Sequence, residues 1–394
     1  MSSFATVAEQ IKCDILSKTH VEDNAAKRKE IARTFISDTI TVPTKEMYEY
    51  ATLSTIGDDV YFEPSTNALE THIAKLTGKE AALFMPSGTA SNQIALRTHL
   101  MQPPYSVLCD HRAHINKYEA GGAAFHSGAA VSALIPSNGN KIAIIGHHLT
   151  LNDVKQNIIM GTDTHLAPTE VVALENTLNG TIFPQDEIIA ISDFVHSHGK
   201  KMHLDGARLW HVAAETGTSV KELCDPFDSI SLCFSKGLGA PVGSCLAGSA
   251  AFIKKARWFR KLFGGGMRQT GILAASAAYA LTYNFPLLEA GLEEIGVEIT
   301  SKAETCMVFY DPASIGVTFD EIADRASDLP EPLILGGSRL VIHIQTSEGA
   351  VNDFLSIIRQ LAEEKRAAGF VKPPPAANGV YKDIYVRRIP KTTA

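Results

Sequence analysis

The segment Pro184-Gln185-Asp186-Glu187-Ile188-Ile189-Ala190-Ile191-Ser192-Asp193-Phe194-Val195-His196-Ser197-His198-Gly199-Lys200-Lys201-Met202-His203-Leu204-Asp205 contains one complete helix-to-strand unit. Pro184 suits a helix start, and Ile188, Ile189 and Phe194 supply one apolar side. Gly199 suits the position just past the helix end. Residues 201–204 then read as a strand. Outward from this unit, residues 81–85, 107–109, 131–135, 171–174, 230–234 and 243–246 read as further strands. Several are apolar without alternation, the pattern of parallel strands covered on both faces. Strands alternating with helices predict an α/β fold with a mostly parallel seven-stranded sheet.

The chain has 394 residues, too many for one ordinary core, so a second domain is expected. The division expected is an N-terminal arm over 1–36, a large domain over 37–285 and a smaller α+β domain over 286–394. In the last, an acidic helix over 288–305, strands over 307–310 and 340–344, an amphipathic helix over 352–366 and a polar, proline-rich tail from 371 are expected. The alanine-rich run 271–281 reads as a tightly packed buried or interface helix. Net charge is −7 with no long basic run, which argues against nucleic-acid binding. No stretch approaches the roughly 18 apolar residues of a membrane span. The six cysteines form no CxxC pair and read as buried thiols of a reducing compartment, the cytoplasm, not as a zinc or disulfide framework.

Three polar signals fall where such a sheet binds ligands, beyond the carboxyl ends of its strands. Asp205, in His203-Leu204-Asp205-Gly206-Ala207-Arg208, ends one expected strand. Lys236, in Ser235-Lys236-Gly237-Leu238-Gly239, follows the next. Ser87-Gly88-Thr89 lies between a strand and a helix start. A lysine beyond a buried strand is poorly solvated, so its amine is more nucleophilic and can condense with an aldehyde. A carboxylate at the neighbouring strand end can keep a pyridinium nitrogen protonated. A Ser-Gly-Thr turn opening a helix offers N–H groups and a hydroxyl to a phosphate. Gly237 and Gly239 permit close backbone approach. Alone, each reads as a solvated lysine, a turn aspartate or a helix cap. Together they point to pyridoxal phosphate held on Lys236.

The sequence resembles the threonine aldolases, fold-type-I pyridoxal-phosphate enzymes of aspartate-aminotransferase-like architecture. The resemblance rests on Ser37-Asp38-Thr39, Gly57-Asp58-Asp59-Val60-Tyr61, Ser87-Gly88-Thr89, His114-Ile115, Glu119-Ala120-Gly121-Gly122, Leu174-Glu175-Asn176-Thr177, Asp205-Gly206-Ala207-Arg208, Ser235-Lys236-Gly237-Leu238-Gly239 and Gly264-Gly265-Gly266-Met267-Arg268-Gln269. The stretch 98–106 and the pair Ala167-Pro168 look like the fungal branch. The resemblance implies a Schiff base on Lys236, Asp205 at the pyridine nitrogen, Gly88 and Thr89 at the phosphate, and His114 stacked on the ring. It implies His165 near the substrate hydroxyl, with Ser37, Arg208, Arg339 and Tyr61 on the substrate side. Lys261 and Arg268 match basic residues lent to a neighbouring subunit's phosphate, implying a homo-oligomer, usually a tetramer. No metal is implied.

The activity implied is cleavage of threonine or allo-threonine to glycine and acetaldehyde, with His114 and His165 jointly moving the proton. The rival is an alanine racemase that supplies D-alanine to a fungal peptide synthetase, which would use the same cofactor link. A non-enzymatic relic of the fold is the third reading. Two departures from the family bear on the choice. Ile36 stands where an arginine usually precedes Ser-Asp-Thr, and Tyr61-Phe62-Glu63-Pro64-Ser65-Thr66-Asn67 is one residue short.

Overall fold

The computed structural model describes residues 3–13, 21–137, 148–161, 163–289 and 304–371. Most of the acidic helix expected over 288–305, and the tail after 371, lie outside the described residues.

Seven strands form one sheet: β1 (Ala81–Met85), β2 (Ser106–Asp110), β3 (Ala130–Leu134), β4 (Thr169–Glu175), β5 (Lys201–Asp205), β6 (Ser229–Cys233) and β7 (Ser244–Gly248). Their order is β1-β7-β6-β5-β4-β2-β3. All neighbours are parallel except β7, which runs antiparallel to both β1 and β6. The connection from β6 to β7 is too short for a parallel crossover, so the chain reverses. Two reversals cancel, and β1 points the same way as β6. The carboxyl ends of β1, β2, β4, β5 and β6 therefore share one edge. β2, β6 and β7 are buried at every residue, whereas edge strand β3 is buried at none. The unpatterned apolar runs thus report coverage on both faces.

The helix Gly88–His99 packs against β1, β4, β5, β6 and β7. Its buried stretch includes three polar residues in a row, Ser91, Asn92 and Gln93. Burying such groups is costly unless they are paired, and the partners of Asn92 prove to be in the site. The helix expected from the opening segment is Gln185–Ser197, and the alanine-rich helix is Gly271–Tyr279.

A second core joins the two-stranded sheet of β8 (Met307–Phe309) and β9 (Arg339–Val341) to the helices Phe319–Ser327 and Glu348–Ala367. Phe35 is buried in it beside Val308, Tyr310 and Phe354. A bridge from Thr34 to Ile334 and an Arg33–Asp353 ion pair at 2.6 Å fasten this segment there. Residues 33–35, expected at the end of an arm, are therefore part of the second core. β9 is shorter than expected because His343 starts a turn closed by the Thr346 N–H on its carbonyl, 2.8 Å. The last helix starts earlier than expected because the Ser347 hydroxyl accepts from the Ala350 N–H, 3.2 Å. Cys109, Cys224, Cys233 and Cys245 are buried as expected, but Cys13 is exposed and Cys306 half-buried. No described helix is long and apolar enough to cross a membrane.

Candidate active site

The shared sheet edge gathers the chemistry. Asp205 ends β5 in register with Glu175, which ends β4. Lys236 lies just past β6, half-buried. Its backbone is held at two points: the Thr41 hydroxyl donates to the Lys236 carbonyl (2.8 Å), and the Gly237 N–H donates to Asp38 Oδ2 (3.2 Å). Gly239 takes φ +77°, which closes the turn after the lysine.

At one end, Ser87 caps the helix Gly88–His99 by accepting from the Ala90 N–H at 3.1 Å. Gly88 and Thr89 are in its first turn, where amides have no partner inside the helix. A Cβ on Gly88 would lie 2.7 Å from Cys233 Sγ. Only glycine lets this positive helix end sit so close to the end of β6.

At the other end, buried Asp205 accepts from Asn92 Nδ2 (2.7 Å) and the Ala207 N–H (3.1 Å). His114 opens a short helix after β2. Its N–H donates to Glu175 Oε2 and its Nδ1 to Glu119 Oε1, both at 2.8 Å. Burial disfavours the His114 cation. The Glu119 hydrogen bond, with the charges of Asp205, Glu119 and Glu175, outweighs that and raises its pKa above the usual histidine value. Burial, and then the Asp205 charge, push the Glu175 carboxyl up to about 8.

The residues expected to hold a substrate carboxylate meet on a third side. Arg339 Nη2 donates to the Ile36 carbonyl (2.9 Å), which brings it beside Ser37. Because the acceptor is the backbone carbonyl, this contact does not depend on which side chain stands at position 36. Arg208 is already engaged: its Nε donates to Asp38 Oδ2 at 2.8 Å and its Nη2 to Oδ1 at 2.5 Å. Burial works against the Asp38 charge, but the Arg208 guanidinium more than offsets it and holds the carboxyl far below the usual range. Asp38 is one residue that sequence reasoning missed. Its signal was present, as the acid of Ser37-Asp38-Thr39, but its partners are distant in the chain.

Other expected residues are not gathered here. His165 is on an exposed loop, with its side chain 89% accessible and its ring paired to Asp163 at 2.9 Å. The His114 ring is bonded to Glu119 instead, so the two histidines expected to act jointly are not a bonded pair. Tyr61 is 81% exposed. The shortened segment ends because Glu63 turns inward and caps the helix Pro64–Thr77, accepting from the Thr66 N–H at 2.7 Å. Lys261 is exposed, and Arg268, which pairs with Asp58 at 2.8 Å, is 68% accessible.

These groups fit pyridoxal phosphate: free amides and a hydroxyl for the phosphate, a half-buried primary amine, a buried carboxylate for the ring nitrogen and an imidazole. Lys236, Asp205, Gly88, Thr89 and His114 would hold it.

Residues 34–309 match the beta-eliminating lyase family. The chain is 40% identical over 362 residues to a probable low-specificity L-threonine aldolase of Schizosaccharomyces pombe, covering 89% of this chain and 93% of that one. It is 33% identical to an alanine racemase of Cochliobolus carbonum, over 83% of this chain and 87% of the relative. In structure it is similar to a threonine aldolase of Leishmania major, with TM-score 0.69 and 19% identity, covering 84% of this chain and 99% of that one. That likeness bears on the fold alone. Family match, fold and site agree: this chain belongs to the threonine aldolase family of the beta-eliminating lyases and uses pyridoxal phosphate.

Proposed function

We propose that the protein cleaves L-threonine or L-allo-threonine to glycine and acetaldehyde. The observation that carries this reading is the set of an amine, a carboxylate and a phosphate-cradling helix start on one sheet edge, in a chain 40% identical along most of its length to a probable low-specificity L-threonine aldolase. When bound, pyridoxal phosphate supplies an electron sink for the bond broken at the substrate α-carbon. Lys236 contributes the nucleophilic amine, and the Asp205 carboxylate is placed to favour a protonated ring nitrogen. Ser37 and Arg339 orient the substrate carboxylate, with Arg208 braced against Asp38 beside them. Glu119 takes the His114 Nδ1 proton in a hydrogen bond, so Nε2 is the nitrogen left to accept the β-hydroxyl proton. A role for His165 at that hydroxyl requires its loop to fold over the cleft.

The test is a product assay on purified protein with threonine, allo-threonine and alanine in parallel. Glycine and acetaldehyde from threonine are expected. D-alanine from L-alanine, with no aldehyde from threonine, would sink this reading in favour of the racemase, whose named relative is the more distant at 33% identity.

We further propose a cytoplasmic homo-oligomer, a tetramer with shared sites, in which Lys261 and Arg268 serve a neighbour's phosphate. Trp258 and Leu262, 77% and 71% exposed beside them, support an interface there. Mixing Lys236→Ala and Arg268→Ala subunits is expected to restore activity that neither has alone. No recovery, or a monomer by sedimentation, refutes sharing; cell fractionation checks the compartment.

A further inference from the structure

Behind the site, the side-chain amide of Asn92 joins two carboxylates. Its Nδ2 donates to Asp205 Oδ2 (2.7 Å) and to Glu119 Oε1 (2.8 Å). Asp205 faces the ring end of the site, and Glu119 holds His114. On the far side, Asn92 Oδ1 is 3.1 Å from His203 Nε2, and His203 Nδ1 is 2.8 Å from Ser229 Oγ. Ser229 Oγ is in turn 2.8 Å from His99 Nε2. Asn92, Glu119, Asp205, His203 and Ser229 are all buried.

The direction of every proton follows from the two acids. Ionised carboxylates only accept, so the amide nitrogen must face them and the amide oxygen must face His203. His203 Nε2 therefore carries hydrogen, and its bare Nδ1 accepts the single Ser229 proton. The Ser229 oxygen then accepts from the His99 Nε2–H. Burial lowers His203 to about 4, and burial with the nearby His203 lowers His99 to about 3, so both rings are neutral with one N–H each. A flipped amide would set its oxygen against two negative charges. Satisfying buried polar atoms accounts for the bonds. It does not account for their convergence on the two acids that serve the ring nitrogen and His114.

We propose that Asn92 and His203 are positioning residues that hold the Asp205 carboxylate aimed at the cofactor ring nitrogen, and through Glu119 hold His114, while Ser229 and His99 set the sense of the amide. This deepens the cofactor assignment and rests on it, but not on which substrate is cleaved. The groups facing Asp205 include Asn92, Glu175 from β4, His203 from its own strand, Cys233 from β6 and His114 with its Glu119.

The test uses holoenzyme carrying Asn92→Ala, His203→Leu, His203→Gln or Ser229→Ala. The visible absorption band of the bound cofactor is titrated against pH, and kcat and KM are measured. For Asn92→Ala and His203→Leu, a shift of the band midpoint by about one unit is expected, with kcat down roughly tenfold or more and KM little changed. His203→Gln, whose amide N–H can reach the Nε2 position, recovers most of both. Ser229→Ala, which frees His203 to adopt the other tautomer, shifts the band the same way by less. Band midpoint and kcat like wild type in Asn92→Ala overturn the proposal. If that variant does not fold, wild-type behaviour in His203→Leu and Ser229→Ala overturns it. A wild-type protein that takes up no cofactor overturns the cofactor assignment as well, so the two failures are distinguishable.

Discussion

Replacing Lys236 with alanine is expected to abolish turnover and leave the fold intact. The side chain supplies the only function assigned to the residue, the attacking amine. The contacts that hold this turn are made by backbone: the Lys236 carbonyl accepts from Thr41, and the Gly237 N–H donates to Asp38. Alanine keeps both. Losing an active-site nucleophile costs on the order of a thousandfold or more in kcat. Steady-state product formation, read beside a thermal melt, checks it. A variant with a tenth of wild-type activity would remove Lys236 from the nucleophile role, and an unfolded one would contradict the backbone account.

Asp38→Ala has the opposite signature, with the largest expected loss of stability. Asp38 is fully buried and Arg208 retains 15% of its side-chain surface, so the variant leaves a guanidinium charge without its partner. Breaking such a pair costs about 3–5 kcal/mol. The Arg325–Glu364 pair sits at 2.8 Å too, but its side chains are 44% and 53% exposed. Pairs of that kind contribute about 0–1 kcal/mol, so Arg325→Ala serves as the control. The sign with pH follows from the depressed Asp38 pKa. The stabilisation is fully present above the unfolded carboxyl value near ~4 and is lost as pH falls through the much lower folded value. Wild type and variant should therefore differ by the full amount at neutral pH and converge only in strong acid. Denaturant midpoints at several pH values test this; a neutral-pH difference under about 1 kcal/mol would show that Arg208 finds another partner.

Lys236, Asp205 and the Gly88-Thr89 turn were legible because each has a local signal, a polar group at the end of an apolar run or a glycine before a helix. Asn92 and His203 were not. A polar residue on a buried helix or strand carries no pattern that says which distant side chain it meets. Arg208 shows the same limit from the other side. Its motif pointed to a substrate anion, yet the group filling its fork is the chain's own Asp38. His165 was placed by motif alone, and the path of its loop leaves the ring exposed.

The sequence by itself determined the alternation of strands and helices, the seven strands within a few residues, and the three elements that define the cofactor site. These follow from hydrophobic period and turn chemistry, which act over a few neighbouring residues. Only the tertiary structure decided that Phe35 belongs to the second core, and that Asp38 and Asn92 stand behind Lys236 and Asp205. Those outcomes depend on which buried side chains, apolar or polar, meet partners far along the chain, and that is set when the layers pack.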